Sequence, residues 1–100
     1  MDKRYKPLTT SEQFEARMKL YDTLRENPGM SLPDVLKLIR TTLRIKNEDI
    51  SKMSGVSAKF VGDTIAGRGN PSLKTAAELL KPFGLRVGVV LEKIESSTKA

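Results

Sequence analysis

One hundred residues with a formal net charge of +6 describe a single small basic domain, a balance that points to an acidic partner, most commonly nucleic acid. The chain has neither cysteine nor histidine, which excludes disulfides and leaves structural zinc without its usual ligands. No apolar run approaches the roughly 20 residues of a membrane helix, and the opening MDKRYKPLTT lacks the apolar core of a signal peptide, so the expected location is cytoplasmic.

Residues 1–8 carry Lys3, Arg4 and Lys6 and read as a flexible basic arm, either a solvated tail or a contact to phosphate. Residues 9–29 hold an extra N-terminal helix and its stop. Ser11 is its candidate N-cap, Glu12 and Glu15 suit the positive end of the helix dipole, and Asn27-Pro28-Gly29 ends it. Phe14, Met18, Tyr21 and Leu24 recur at helical spacing and make one apolar stripe. The stripe reads first as core packing. Phe14, Met18 and Tyr21 become a candidate partner face if the domain leaves them exposed.

Ser31 opens the next helix, with Asp34 three residues on and Pro33 tolerated in the first turn. Leu32, Val35, Leu36, Ile39 and Leu43 form its core face. Two short helices follow. Asn47 is expected to cap the first, which runs to Ser54 with Glu48 and Asp49 in its first turn and Ile50 and Met53 as its apolar face. Gly55-Val56-Ser57 is the turn. Glycine there accepts positive φ without a Cβ penalty, and the Ser57 hydroxyl can accept a backbone N–H as the next N-cap. The second short helix buries Phe60, Val61 and Ile65 and ends at Gly67 as a C′ glycine. Two helices joined by so tight a turn form the helix-turn-helix pattern, whose second helix enters the DNA major groove.

Arg68-Gly69-Asn70-Pro71 reads as a loop, after which Ser72 caps a further helix with Leu73, Ala76, Ala77, Leu80 and Phe83 on one face. Pro82 should distort the last turn of that helix, and Gly84 ends it. Over residues 85–92, apolar Leu85, Val87, Val89 and Leu91 alternate with Arg86, Gly88, Val90 and Glu92. This is the one strand candidate, and a lone strand is not stable. The economical partner is the same strand of a second copy, paired as an antiparallel ribbon across a two-fold axis. Residues 93–100 read as a disordered tail.

Three segments carry a family resemblance. Ile45-Lys46-Asn47-Glu48-Asp49-Ile50 stands where the family often has "LTQEELA", and Ser54-Gly55-Val56-Ser57 is similar to its turn. Residues 67–75, followed by Leu79-Leu80 and by residues 83–87, look like its "G-x-x-NPTLxTL…LGLRL" signature. On these grounds residues 32–91 resemble the Cro/C1-type (XRE-like) helix-turn-helix repressors, closest to the HigA-like and HipB-like antitoxins of the addiction-module antidote family. The chain departs from the pattern where Lys46-Asn47 replaces Thr-Gln. Gly62 and Asp63 inside the recognition helix are also departures. The resemblance implies a mainly α, five-helix lambda-repressor-like domain over residues 31–84, with the dimerisation strand over 85–92.

The DNA-binding candidates follow from the helix faces. Ser57, Ala58, Lys59, Gly62 and Asp63 lie off the apolar face of the recognition helix. Lys59 suits guanine O6 or N7, and Ala58 a thymine methyl. Asp63 repels phosphate unless it reads a cytosine amino group. Lys46 and Asn47 sit at a helix N-terminus, which favours phosphate, and Arg68 and Asn70 would hold the backbone of the same half-site. No stretch resembles a catalytic motif, and no cofactor or metal is implied. The expected activity is sequence-specific repression of transcription by a homodimer on an inverted repeat of double-stranded DNA. The resemblance further implies an autoregulating antitoxin of a type II toxin–antitoxin module with a cognate toxin. The alternatives are a stand-alone phage or chromosomal regulator and an antitoxin that acts mainly by holding its toxin.

Overall fold

The computed structural model describes residues 8–89. Lys3, Arg4 and Lys6 of the expected arm, residues 90–92 of the expected strand with Leu91, and the expected tail over 93–100 lie outside the described residues. Five α-helices follow in order: α1 Thr10–Glu26, α2 Leu32–Leu43, α3 Asn47–Ser54, α4 Ala58–Ile65 and α5 Leu73–Leu80. A single 3-10 turn, Lys81–Phe83, continues α5. Pro82 lacks the N–H that an α-helical turn requires, and the tighter turn accommodates it.

Local chemistry explains most helix ends. Ser31, Ser57 and Ser72 each cap a helix by accepting from the backbone N–H three residues on: Asp34, Phe60 and Thr75 respectively. The first helix is capped by Thr9 rather than Ser11, because Thr9 and Glu12 complete a reciprocal capping box: the Glu12 N–H donates to Thr9 Oγ1 and the Thr9 N–H to Glu12 Oε1. Lys46 rather than Asn47 takes the N-cap position of α3. Its N–H donates to Asp49 Oδ2 at 2.8 Å, so the acid inside the first turn does the work.

Leu20, Leu36, Ile39, Ile50, Val61, Leu79 and Phe83 are fully buried, one or two from each helix and one from the 3-10 turn. Each such side chain contributes on the order of 1.5–3 kcal/mol relative to exposure. Helix α1 packs on α2, α2 on α4, and α3 on both α4 and α5. Three expected faces are corrected. On α1 the buried residue is Leu20, with Tyr21 and Leu24 half-buried, while Phe14 is 65% exposed and Met18 also faces solvent. On α3 Ile50 is buried but Met53 is exposed. On α5 the core face is Ala76, Leu79 and Leu80, while Leu73 is 75% exposed and Ala77 lies outside.

The expected C-terminal strand is not present in the single chain: among the described residues no strand forms, and residues 85–89 carry no regular element. A strand is a hydrogen-bonded ladder, and the described chain offers these residues no second strand to pair with. The Leu85 N–H donates instead to the Leu80 carbonyl at 3.2 Å, and its side chain packs against the core. Val87 is exposed and Val89 is 98% exposed.

Candidate nucleic-acid interface

The turn between α3 and α4 is built from four hydrogen bonds. Gly55 ends α3 at φ 80°, its N–H donating to the Ser51 carbonyl. The Ser54 hydroxyl donates to the Ile50 carbonyl at 2.7 Å and accepts the Val56 N–H at 3.1 Å. Ser57 Oγ then accepts the Phe60 N–H at 3.1 Å and starts α4. Val56 is buried between the two helices, which fixes the turn to the core. Helix α4 turns Val61, Thr64 and Ile65 inward, with Phe60 half-buried. Lys59 is left outward, and Ala58, Gly62 and Asp63 are partly exposed.

The far end of α4 closes in a Schellman motif. The Gly67 N–H donates to the Thr64 carbonyl and the Arg68 N–H to the Asp63 carbonyl, with Gly67 at φ 81°. This folds the following loop back over the helix. A Cβ on Gly69 would stand 3.0 Å from Thr64 Oγ1, so only glycine fits there without displacement. The fold-back brings Arg68 to Asp63: Nη2 donates to Oδ1 at 3.0 Å. From one turn earlier, Lys59 Nζ donates to Oδ2 of the same carboxylate at 3.1 Å. These two hydrogen bonds, Lys59 first and Arg68 second, hold the Asp63 carboxyl below its ordinary 3.8.

The start of α3 joins the same surface. Arg40 Nη1 donates to Asn47 Oδ1 at 3.0 Å. A Cβ on Gly62 would meet Asn47 Nδ2 at 3.3 Å, so the missing side chain lets α4 lie close against the first residue of α3. A shallow recess lined by Arg40, Thr41, Ile45, Lys46, Asn47 and Glu48 opens beside this contact. Of the nine sequence candidates, the structure links Lys59, Asp63 and Arg68 through ion pairs and Asn47 with Gly62 through packing. Ser57 is committed to its cap, Ala58 opens α4, and Lys46 and Asn70 are exposed. Arg40 was not among the candidates. Nothing local marks it, since its partner lies seven residues away across the helix end.

The candidate partner face on α1 divides. Tyr21 turns inward, its hydroxyl donating to the Phe83 carbonyl at 2.9 Å, with the Arg17 guanidinium 6.0 Å from the Phe83 ring centroid. Phe14 remains outside, beside a groove with Gln13, Arg17, Leu43, Ile45 and Met53. No described helix is long and apolar enough to cross a membrane, and among the described residues no His/Cys/Asp/Glu group could hold a metal ion.

The mainly helical architecture is compatible with a helix-turn-helix domain. The chain is similar to the HTH-type transcriptional regulator DdrOP3 of Deinococcus deserti, with 32% identity over 66 residues. The match covers 66% of this chain and 51% of the relative, so the chain spans about half the length of the curated relative it matches. No protein-family model matches the chain, and no solved structure matches it significantly.

Proposed function

We propose that this protein is a sequence-specific DNA-binding regulator of transcription that acts in the cytoplasm as a homodimer. The observation that carries the reading is the pair of eight-residue helices α3 and α4, joined at Gly55 and capped at Ser57. The second of them leaves Lys59 on the outside. Similarity to a helix-turn-helix regulator supports it independently. Lys59 reads a base edge, and Ala58 meets a thymine methyl. Ser57, Lys46, Asn47, Arg68 and Asn70 hold phosphates and set the register. The dimer forms when residues 85–92 of two copies pair, Val87, Val89 and Leu91 supplying the apolar contact. Two recognition helices then sit about 34 Å apart, one turn of DNA, and bind an inverted repeat. Occupancy of a promoter by such a dimer represses transcription.

Within this reading, the family resemblance favours the autoregulating antitoxin of a type II toxin–antitoxin module, and the exposed Phe14 and Met18 offer a toxin an apolar face. A regulator with no toxin partner is the alternative. A gel-shift titration with the DNA upstream of the protein's own gene, against unrelated DNA at two salt concentrations, tests the proposal. Preference for the upstream DNA that survives the higher salt is the expected result. Equal, salt-sensitive binding to both DNAs contradicts sequence-specific regulation.

A further inference from the structure

Asp63 stands in the last turn of the recognition helix, where a negative charge opposes the phosphates of any DNA that approaches. It is also held in place. Its side chain is 29% exposed, and both carboxylate oxygens are engaged, Oδ2 by Lys59 and Oδ1 by Arg68. Its main-chain carbonyl is engaged as well, accepting from the Arg68 N–H at 2.8 Å and the Gly69 N–H at 3.1 Å. The two cations assigned to DNA, one to a base and one to the backbone, are therefore tied to one acid in the free protein. Both keep most of their length in solvent, with side chains 86% and 70% exposed.

We propose that Asp63 is a specificity-determining residue, which withholds Lys59 and Arg68 from phosphates unless the bases beneath α4 supply acceptors to replace it. The proposal rests on the DNA-binding reading above and deepens it. On unrelated DNA, phosphates alone compete for the two cations, and Asp63 both holds the cations and repels the strand. On the correct site, a guanine edge offers Lys59 a directed acceptor, and Arg68 is released to the backbone. Discrimination then comes partly from a built-in penalty against the wrong partner, as well as from contacts to the right one.

The test uses the full chain and its Asp63→Asn and Asp63→Glu variants, with Glu15→Gln as a control that makes the same charge change in α1. Each protein is titrated onto a 30-base-pair duplex of scrambled sequence over a range of salt. Each is also used to select binding sequences from a random duplex pool. Asp63→Asn should bind the scrambled duplex roughly tenfold more tightly near 0.1 M salt, with a salt slope steeper by about 0.9 for each phosphate gained. Its selected sequences should be less sharply defined than those of the wild type. Asp63→Glu keeps the charge and should restore the wild-type behaviour, and Glu15→Gln should change binding by less than about twofold. The inference is overturned if Asp63→Asn binds scrambled DNA like the wild type, or if Glu15→Gln gives the same gain. A wild-type protein that binds neither the scrambled duplex nor the pool contradicts the DNA-binding reading itself.

Discussion

The Tyr21 hydroxyl reaches the Phe83 carbonyl across 62 positions of sequence, at 2.9 Å. With the buried Leu20, this contact makes the N-terminal helix part of the same core as α3 and α4. A Cβ on Gly84 would stand 2.9 Å from that same hydroxyl oxygen, and Gly84 has φ 74°, so the position is closed to larger residues twice over. Tyr21→Phe leaves the Phe83 carbonyl without its donor and should cost about 1–2 kcal/mol. Gly84→Ala should cost about 1–3 kcal/mol. In the double variant the clashing oxygen is gone, so the two losses should sum to less than their separate values in chemical denaturation. Strict additivity would contradict the contact.

Arg44 ends α2 in the left-handed region at φ 55°, the one non-glycine residue with positive φ among the described residues. That conformation costs a side-chain-bearing residue on the order of 1–2 kcal/mol. Arg44→Gly relieves it but makes the unfolded chain freer by up to about 1 kcal/mol. The net expectation is a gain of up to about 1 kcal/mol, or a rise of about 4–8 °C in Tm per kcal/mol for a domain of this size. A lower Tm would show that Arg44 makes a contribution the turn geometry does not contain.

The Asp63 carboxyl is held below its ordinary value by Lys59 and Arg68, so the unfolded chain takes up this proton before the folded chain does. Its stabilising contribution is complete above the ordinary carboxylate range and fades as pH falls towards the folded value. The Tm difference between wild type and Asp63→Asn should therefore hold constant from neutral pH down to about pH 5 and shrink below it. A difference that shrinks already between about pH 5 and pH 7 would assign the effect to another group.

Val89 ends the described chain with its side chain almost wholly in solvent. If residues 85–92 pair across a two-fold axis, Val89→Asp places two charges in an apolar ribbon and should convert the dimer to monomer in sedimentation equilibrium. A dimer of unchanged strength would place the interface elsewhere.

Stops and three of the five caps were legible, because each is decided within a few residues; at α1 and α3 the cap stands one or two residues earlier than the expected Ser11 and Asn47. Ser31, Ser57 and Ser72 cap, and Gly55, Gly67 and Gly84 take positive φ, where their residue types require it. Burial was less legible. Phe14 and Met18 share a helical stripe with Tyr21 and Leu24, but only Leu20, Tyr21 and Leu24 of this helix join the core. Periodicity identifies an apolar face without saying how far along the helix the neighbour extends. The same reason leaves Leu73 exposed at the first position of α5. At the site, the Lys59–Asp63 pair follows from their spacing of four. Arg68 joins it only through the fold-back at Gly67, and Arg40 only through its hydrogen bond to the first residue of α3. Residues 85–89 show the opposite limit, since their alternation predicts a strand and none forms among the described residues.

In the proposed complex α4 and the loop after it form the DNA surface. The most direct test is amide chemical-shift mapping of the full chain, titrated with a duplex that it binds. The largest changes should cluster at residues 57–63 and 68–70 with Lys46 and Asn47, and Lys59→Ala should weaken binding while leaving the spectrum folded. Changes concentrated around Phe14, Arg17 and Met53, with residues 57–63 silent, would contradict it.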